Sequence, residues 1–254
     1  MAQIYLVRHG QASFGSQNYD QLSELGGEQA RHLGRWWAAR DLSVSRVVTG
    51  SMQRHLQTAR ACMAQMQGVS EQQLLTDAWH CDAGFNEYNH HEVLARHVPA
   101  FDDPAEVKRF LMTTPNGKQA FQAIFAGAIT RWMSGDYDAE YSETWPSFRA
   151  RCVAALERQI RLPEAAKNIV IFTSGGTISA LCQHVLGFDD SRFAEMNWSL
   201  VNSAVTRFHL QATESTESAE SAELAARPAR IALAYLNNFS HLELSNQPEH
   251  ITYV

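Results

Sequence analysis

Near the start of the chain, Gln3-Ile4-Tyr5-Leu6-Val7 runs into Arg8-His9-Gly10, three residue types that together can do chemistry. An imidazole can act as a nucleophile, and a guanidinium beside it can clamp a phosphate through two parallel N–H···O bonds. Gly10 lets the backbone turn sharply and approach a ligand with no Cβ in the way. The run before them is short, apolar and partly β-branched, the pattern of a buried strand. In an open α/β sheet, ligands sit beyond the carboxyl ends of the strands, so residues that follow such a strand are placed to react.

The elements that must position this tripeptide alternate along the chain. Leu22-Ser23 opens a helix that passes through Gln29, Leu33 and Trp37. Arg46 to Thr49 reads as a short second strand closed by Gly50, and Ser51 as the N-cap of a helix from Met52 to Met66. Asn168 to Thr173 is the clearest buried strand. It leads through Ser174-Gly175-Gly176-Thr177 into a helix with Ile178, Leu181, Cys182 and Val185 on one face, stopped by Gly187. Ala204 to Leu210 and Arg230 to Leu236 read as the last two strands. This alternation predicts a three-layer α/β/α sandwich with a mostly parallel sheet covered on both faces.

Residues 86–163 are mostly helical in pattern and read as an insertion over the strand ends within a single domain of residues 1–254. Phe121, Ile124, Phe125, Ala128, Ile129, Trp132 and Met133 fall at helical spacing, as do Phe148, Cys152, Leu156 and Ile160, and these stripes read as core. Residues 213–223, TESTESAESAE, are acidic, low in complexity and without a large apolar side chain, so they read as a flexible loop between two strands.

Composition narrows the class. An apolar fraction of 45% in 254 residues suits a soluble globular protein with a substantial core. The net charge of −6 argues against nucleic acid or an anionic membrane as the main partner, although a local basic pocket is compatible with it. No apolar run approaches membrane-spanning length, and the immediate entry into a strand leaves no room for a signal peptide. Cys62, Cys81, Cys152 and Cys182 are scattered, without metal-ligand spacing, and read as buried reduced thiols of a cytoplasmic protein.

Further positions match Arg8-His9-Gly10. They are Leu22-Ser23-x-x-Gly26-x-x-Gln29-Ala30, Ser51-Met52-Gln53-Arg54-His55-Leu56-Gln57-Thr58-Ala59, Phe85-Asn86-Glu87-Tyr88, and Glu143 and Arg151 around Thr144-Trp145-Pro146-Ser147-Phe148. Together they resemble the histidine phosphatase superfamily, the phosphoglycerate-mutase-like proteins, from the first strand to the last. Taken singly, Arg54 would be a surface helix residue, Glu87 a loop carboxylate and His9 a satisfied strand-end histidine; the joint pattern reverses each reading. The resemblance implies that His9 attacks phosphorus and becomes a phosphohistidine. It implies that Arg8 and Arg54 hold the phosphate oxygens without a metal or other cofactor, and that Glu87 protonates the leaving oxygen. For attack, one His9 nitrogen must be unprotonated, so the other should donate to a backbone carbonyl or similar group.

One departure bears on the chemistry. Where the family usually has a second histidine followed by glycine, this chain has Ser174 and then Gly175-Gly176. In the family that histidine donates to the transferring phosphoryl group, and a serine offers a neutral hydroxyl on a shorter arm. Losing a charge-assisted donor there costs on the order of 10²–10³ in rate. The backbone N–H groups of Gly175, Gly176 and Thr177 are alternative phosphate donors. Three readings follow: a water or a histidine from elsewhere fills the gap, with His90, His91 and His241 the candidates in that order; Ser174 suffices for a slow enzyme; or the pocket binds phosphate without turning it over. The family's frequent Asn six residues after the nucleophile is Gly15 here, with Ser13 the nearby hydroxyl.

The expectation is therefore a metal-independent phosphatase acting on a small phosphorylated substrate through His9 and Glu87, with Arg8, Arg54, Ser174 and Gly175 binding phosphate. Two alternatives stay open: a catalytically weak phosphate-binding or regulatory protein on the same fold, and a mutase-type phosphotransferase. Substrate identity and oligomeric state are not legible from the chain.

Overall fold

In β1 (Ala2–Arg8), side chains alternate between two faces, and both faces are buried. Ile4 and Leu6 enter one apolar cluster while Tyr5 and Val7 enter another. The same division holds in β4 (Asn168–Thr173), with Ile169 and Ile171 on the first side and Val170 and Phe172 on the second. A sheet apolar on both faces must be covered on both, which makes the three-layer arrangement. The computed structural model describes residues 2–13, 20–162, 166–211 and 230–253. The acidic stretch 213–223 and Gly15 lie outside them.

Among the described residues, six strands pair in the order β3-β2-β4-β1-β5-β6. They include β2 (Arg46–Thr49), the two-residue β3 (His80–Cys81), β5 (Val205–Gln211) and β6 (Arg230–Asn238). The first four in that order run parallel, whereas β5 is antiparallel to β1, and β6 to β5. The chain leaves β1 for β2 in one direction across the sheet and leaves β4 for β5 in the other. The switch point, where such sheets open a crevice, therefore lies between β1 and β4. Their register pairs Arg8 with Thr173, so His9 and Ser174 emerge side by side.

One face is covered by α1 (Glu24–Ala38) and α2 (Gln53–Gln67), which contribute Leu33, Trp37, Ala59, Cys62 and Met63 to the core. Ser23 caps α1, its hydroxyl accepting from the Gly26 N–H. The expected cap of α2 is corrected: Met52 occupies the N-cap position, and the Asp20 carboxylate accepts from the Gln53 N–H at 2.9 Å. Ser51 instead pairs with Asn86. Gly10 is needed for packing. A Cβ there would lie 2.2 Å from the Gly26 carbonyl oxygen, so the residue lets the loop after β1 press onto the start of α1.

The other face is covered by α6 (Trp145–Arg161) and α7 (Gly175–Leu186), the latter ending at Gly187 with φ 70°. Between β3 and α6 come α3 (His90–His97), α4 (Pro104–Thr113) and α5 (Gly117–Met133). The expected stripe on α5 buries Ala128, Ile129 and Trp132, and Trp132 joins Tyr88, Trp145 and Phe148 in an aromatic cluster. By contrast α4 buries none of its residues. A further helix, α8 (Phe193–Ser199), packs beside α7 and sends Phe193 against Trp145. Of the four free cysteines, Cys81 is exposed on the short edge strand β3, which corrects the expectation that all are buried. Among the described residues no helix is long and apolar enough to cross a membrane.

Candidate active site

The ends of β1 and β4 build the site, and the backbone around His9 holds its ring in one orientation. The His9 N–H continues the ladder to the Thr173 carbonyl at 2.9 Å, and its own carbonyl accepts from Ser203 N and Asn202 Nδ2, each at 3.2 Å. Its Nδ1 lies 2.7 Å from the Gly10 carbonyl, and a carbonyl only accepts, so Nδ1 carries the hydrogen. Nε2 is left with its lone pair, as an attacking nitrogen must be. Burial pulls the His9 pKa well below the usual histidine value, and the Arg54 and Arg8 guanidinium groups and His55 lower it further; the Gly10 carbonyl opposes them in part. The shift favours the neutral ring.

Two guanidinium groups flank it. Arg8 is buried, and its Nη1 donates to the Leu200 carbonyl, which anchors the side chain from the start of the segment before β5. Arg54, in the first turn of α2, is only 3% exposed despite its place on a helix, and its Nη1 meets the Asp20 carboxylate at 2.9 Å. Arg54 and Arg8 both act on His9 and on Glu87, which places the four side chains in one electrostatic cluster.

Glu87 Oε2 accepts from the Gly176 N–H at 3.0 Å. Burial raises its pKa, partly offset by the Gly176 and Tyr88 N–H groups and by Arg54 and Arg8. A carboxyl so placed retains its proton to higher pH than an exposed one, which suits a proton donor. Because the Gly176 N–H is committed to Glu87, it is not one of the phosphate donors that the sequence suggests.

The loop that carries Glu87 is fastened from several sides. Thr173 Oγ1 donates to the Phe85 carbonyl at 2.6 Å, and Thr177 Oγ1 to the Asn86 carbonyl at 3.0 Å. Arg151 forms a bidentate pair with Glu143 at 2.7 and 2.8 Å. Its remaining Nη1 donates to the carbonyls of Ala83, Gly84 and Asn86 at 3.2, 3.1 and 3.0 Å. The sequence pattern singles out Glu143 and Arg151 but not this use. They hold the turn that presents Glu87.

Ser174 is fully buried at the end of β4. It is the N-cap of α7, yet its hydroxyl caps nothing; it lies 2.6 Å from Nε2 of His55. The expected histidines stand elsewhere. His91 is half exposed with its ring against Asp102, and His241 is held by the Ser203 hydroxyl at 2.8 Å. His90 is lowered to about 4 by burial and then by Arg54, so it approaches the arginine but is not the partner of Ser174. His55, next to Arg54 in the chain, is the residue that sequence reasoning missed. Its signal was a second imidazole beside Arg54, in the first turn of the same helix. Ser13, the other expected hydroxyl, donates to the Leu22 carbonyl. Among the described residues, no three His, Cys, Asp or Glu side chains gather where they could hold a metal ion.

The family model described as histidine phosphatase superfamily (branch 1) matches residues 4–119 and 112–219. By sequence the chain is similar to a protein of Enterobacter sp. (strain 638) named "Probable phosphoglycerate mutase GpmB", at 25% identity over 221 residues, spanning 83% of this chain and 86% of that one. By fold it is similar to a phosphoserine phosphatase from Entamoeba histolytica crystallised with phosphoserine, with a TM-score of 0.59 and 15% identity over 95% of this chain and 100% of that one. It is also similar to a phosphoglycerate mutase from Bacillus anthracis, with a TM-score of 0.58 and 15% identity over 97% of each chain.

Proposed function

The chain belongs to the histidine phosphatase superfamily, and from that premise we propose that it is a metal-independent phosphatase that hydrolyses a phosphomonoester through a phosphohistidine at His9. In the first step the Nε2 lone pair forms the N–P bond as the P–O bond to the leaving group breaks, and Glu87 gives its proton to the departing oxygen. In the second step water attacks phosphorus while Glu87 takes back a proton. The N–P electron pair returns to Nε2, and inorganic phosphate leaves. Arg8 and Arg54 hold the phosphoryl oxygens and offset charge in both transition states.

The observation that carries this reading is a buried imidazole of lowered pKa, its Nδ1–H bound to the Gly10 carbonyl, under the charge of two buried guanidinium groups that act also on the Glu87 carboxyl of raised pKa. The phosphoserine and 3-phosphoglyceric acid bound by the Entamoeba histolytica phosphatase support a small, charged monoester as the substrate class. Ser174 in place of the usual second histidine favours one other reading, a slow or non-catalytic phosphate binder.

Phosphate release from a panel of small phosphomonoesters, including phosphoserine and 3-phosphoglycerate, tests the proposal. The parent should release phosphate and His9→Ala should not. A parent that binds phosphate but turns over nothing supports the binding reading, and conversion of 3-phosphoglycerate to its 2-isomer without release supports a mutase.

A further inference from the structure

We infer that Ser174 and His55 work as one phosphoryl-oxygen donor. In this pair His55 donates Nε2–H to Ser174 Oγ, and the serine hydroxyl hydrogen is thereby turned to the phosphoryl group at His9. The inference rests on the phosphatase reading above for its catalytic part, and on geometry alone for the pair itself.

The position of Ser174 makes it a donor to that group. It follows Thr173, which pairs with Arg8 across the parallel β1–β4 ladder, as His9 follows Arg8, and the His9 and His55 ring centroids are 5.8 Å apart. A hydroxyl at a helix N-cap ordinarily accepts from an N–H two or three residues on. Ser174 does not, so its oxygen is committed to His55 at 2.6 Å.

The tautomer follows from what surrounds the other nitrogen. His55 is fully buried, and its Nδ1 has no hydrogen-bond partner among the described residues. A hydrogen on Nδ1 would strand a buried N–H, which is the rarer and costlier defect; a hydrogen on Nε2 strands only a lone pair. Nε2–H therefore donates to Ser174 Oγ. The oxygen's own hydrogen must then point to a second acceptor, and a phosphoryl oxygen at His9 supplies one. Burial, and then Arg54, holds the His55 pKa well below the usual value, so the pair is a neutral one. Space for the ring comes from Gly50, where a Cβ would sit 2.2 Å from His55 Nδ1.

His55 is in this account a positioning residue that acts through Ser174. The test compares the parent with Ser174→Ala, His55→Leu, His55→Gln and the double variant Ser174→Ala/His55→Leu. The substrate is para-nitrophenyl phosphate, and inorganic phosphate binding is followed by calorimetry. Ser174→Ala and His55→Leu should each lower kcat/KM about 10- to 100-fold, and the double variant should be no slower than the worse single one. His55→Gln, whose amide can donate from nearly the place of Nε2, should stay within about fivefold of the parent. Singles that match a folded parent, or losses that multiply in the double variant, overturn the inference.

Two readouts do not depend on turnover. In long-range ¹H–¹⁵N spectra His55 should be the Nε2–H tautomer, and an Nδ1–H tautomer overturns the pair. Ser174→Ala should weaken inorganic phosphate binding about fivefold or more, and unchanged binding overturns the donor role. If the parent releases no phosphate, or His9→Ala is as active as the parent, the phosphatase reading fails while these two readouts still decide the inference.

Discussion

The ends of β1 and β4 lie next to each other and, on the proposed function, would serve one phosphoryl group by different means. At β1 the chemistry is written into the chain itself, with Arg8 and His9 consecutive and the Gly10 carbonyl fixing the tautomer. At β4 the strand brings only a small hydroxyl, and the imidazole beside it comes from α2, 119 positions away from Ser174 in sequence. A nucleophile must sit where the backbone is most rigid, and one strand end with its ladder bonds provides that. A donor needs only to reach the same space, so a different element can supply it. On this reading, the imidazole at the end of β4 comes from another part of the chain.

Changing Glu87, which accepts from the Gly176 N–H beyond β4 and feels the Arg8 charge at the end of β1, should have the largest effect. Glu87→Gln should lower kcat by about 10²–10³ while leaving phosphate affinity within about threefold, measured by steady-state kinetics and calorimetry. The pH profile of kcat/KM carries the sign. His9 reacts when neutral, and its lowered pKa extends activity below the ordinary histidine range. Glu87 donates when protonated, and its raised pKa moves the alkaline limb above the ordinary carboxylate range. The optimum should be acidic, with activity falling as pH rises through the Glu87 pKa, and Glu87→Gln should lose that alkaline limb.

Exchanging the two solutions at β4 sharpens the comparison. Ser174→His alone forces an imidazole into a fully buried position already facing His55, and overpacking of this kind costs about 1–3 kcal/mol. His55→Ala in the same chain removes the obstruction. The double variant should regain stability over Ser174→His in urea unfolding and turn over within about tenfold of the parent. A double variant no better than Ser174→His alone would mean that the two positions do not share one space.

A smaller effect is expected from the brace behind Glu87. Arg151→Ala breaks the Glu143 pair and three carbonyl contacts at once. It should lower stability by about 2 kcal/mol in urea unfolding and kcat by about tenfold, with KM little changed.

The strand ends were the legible part of the chain. Arg46–Thr49 and Asn168–Thr173 are strands with the expected bounds, since each is a short apolar run that only a buried strand explains. β3 was not legible, because His80-Cys81 is two residues long and depends on pairing with Val48 and Thr49. Ser51 shows a limit of local capping rules. A side chain from before α1, Asp20, reaches the α2 terminus first and leaves Ser51 to Asn86. In the site, His9, Arg8, Arg54 and Glu87 were singled out by the family resemblance, and the structure brings the four into one electrostatic cluster. His55 was not, because its contact with Ser174 forms only where α2 and the end of β4 meet, and no spacing along one element encodes it. The brace made by Arg151 was hidden for the same reason.

The most direct test of the central claim is rapid acid-free quenching of the parent during turnover of a small phosphomonoester, followed by mass-spectrometric mapping of the phosphoryl group. The account predicts phosphate on His9, absent in His9→Ala and longer-lived in Glu87→Gln with a good leaving group, because water is then no longer activated. A phosphoryl group on Ser174, or turnover with no phosphoenzyme in any variant, would contradict it.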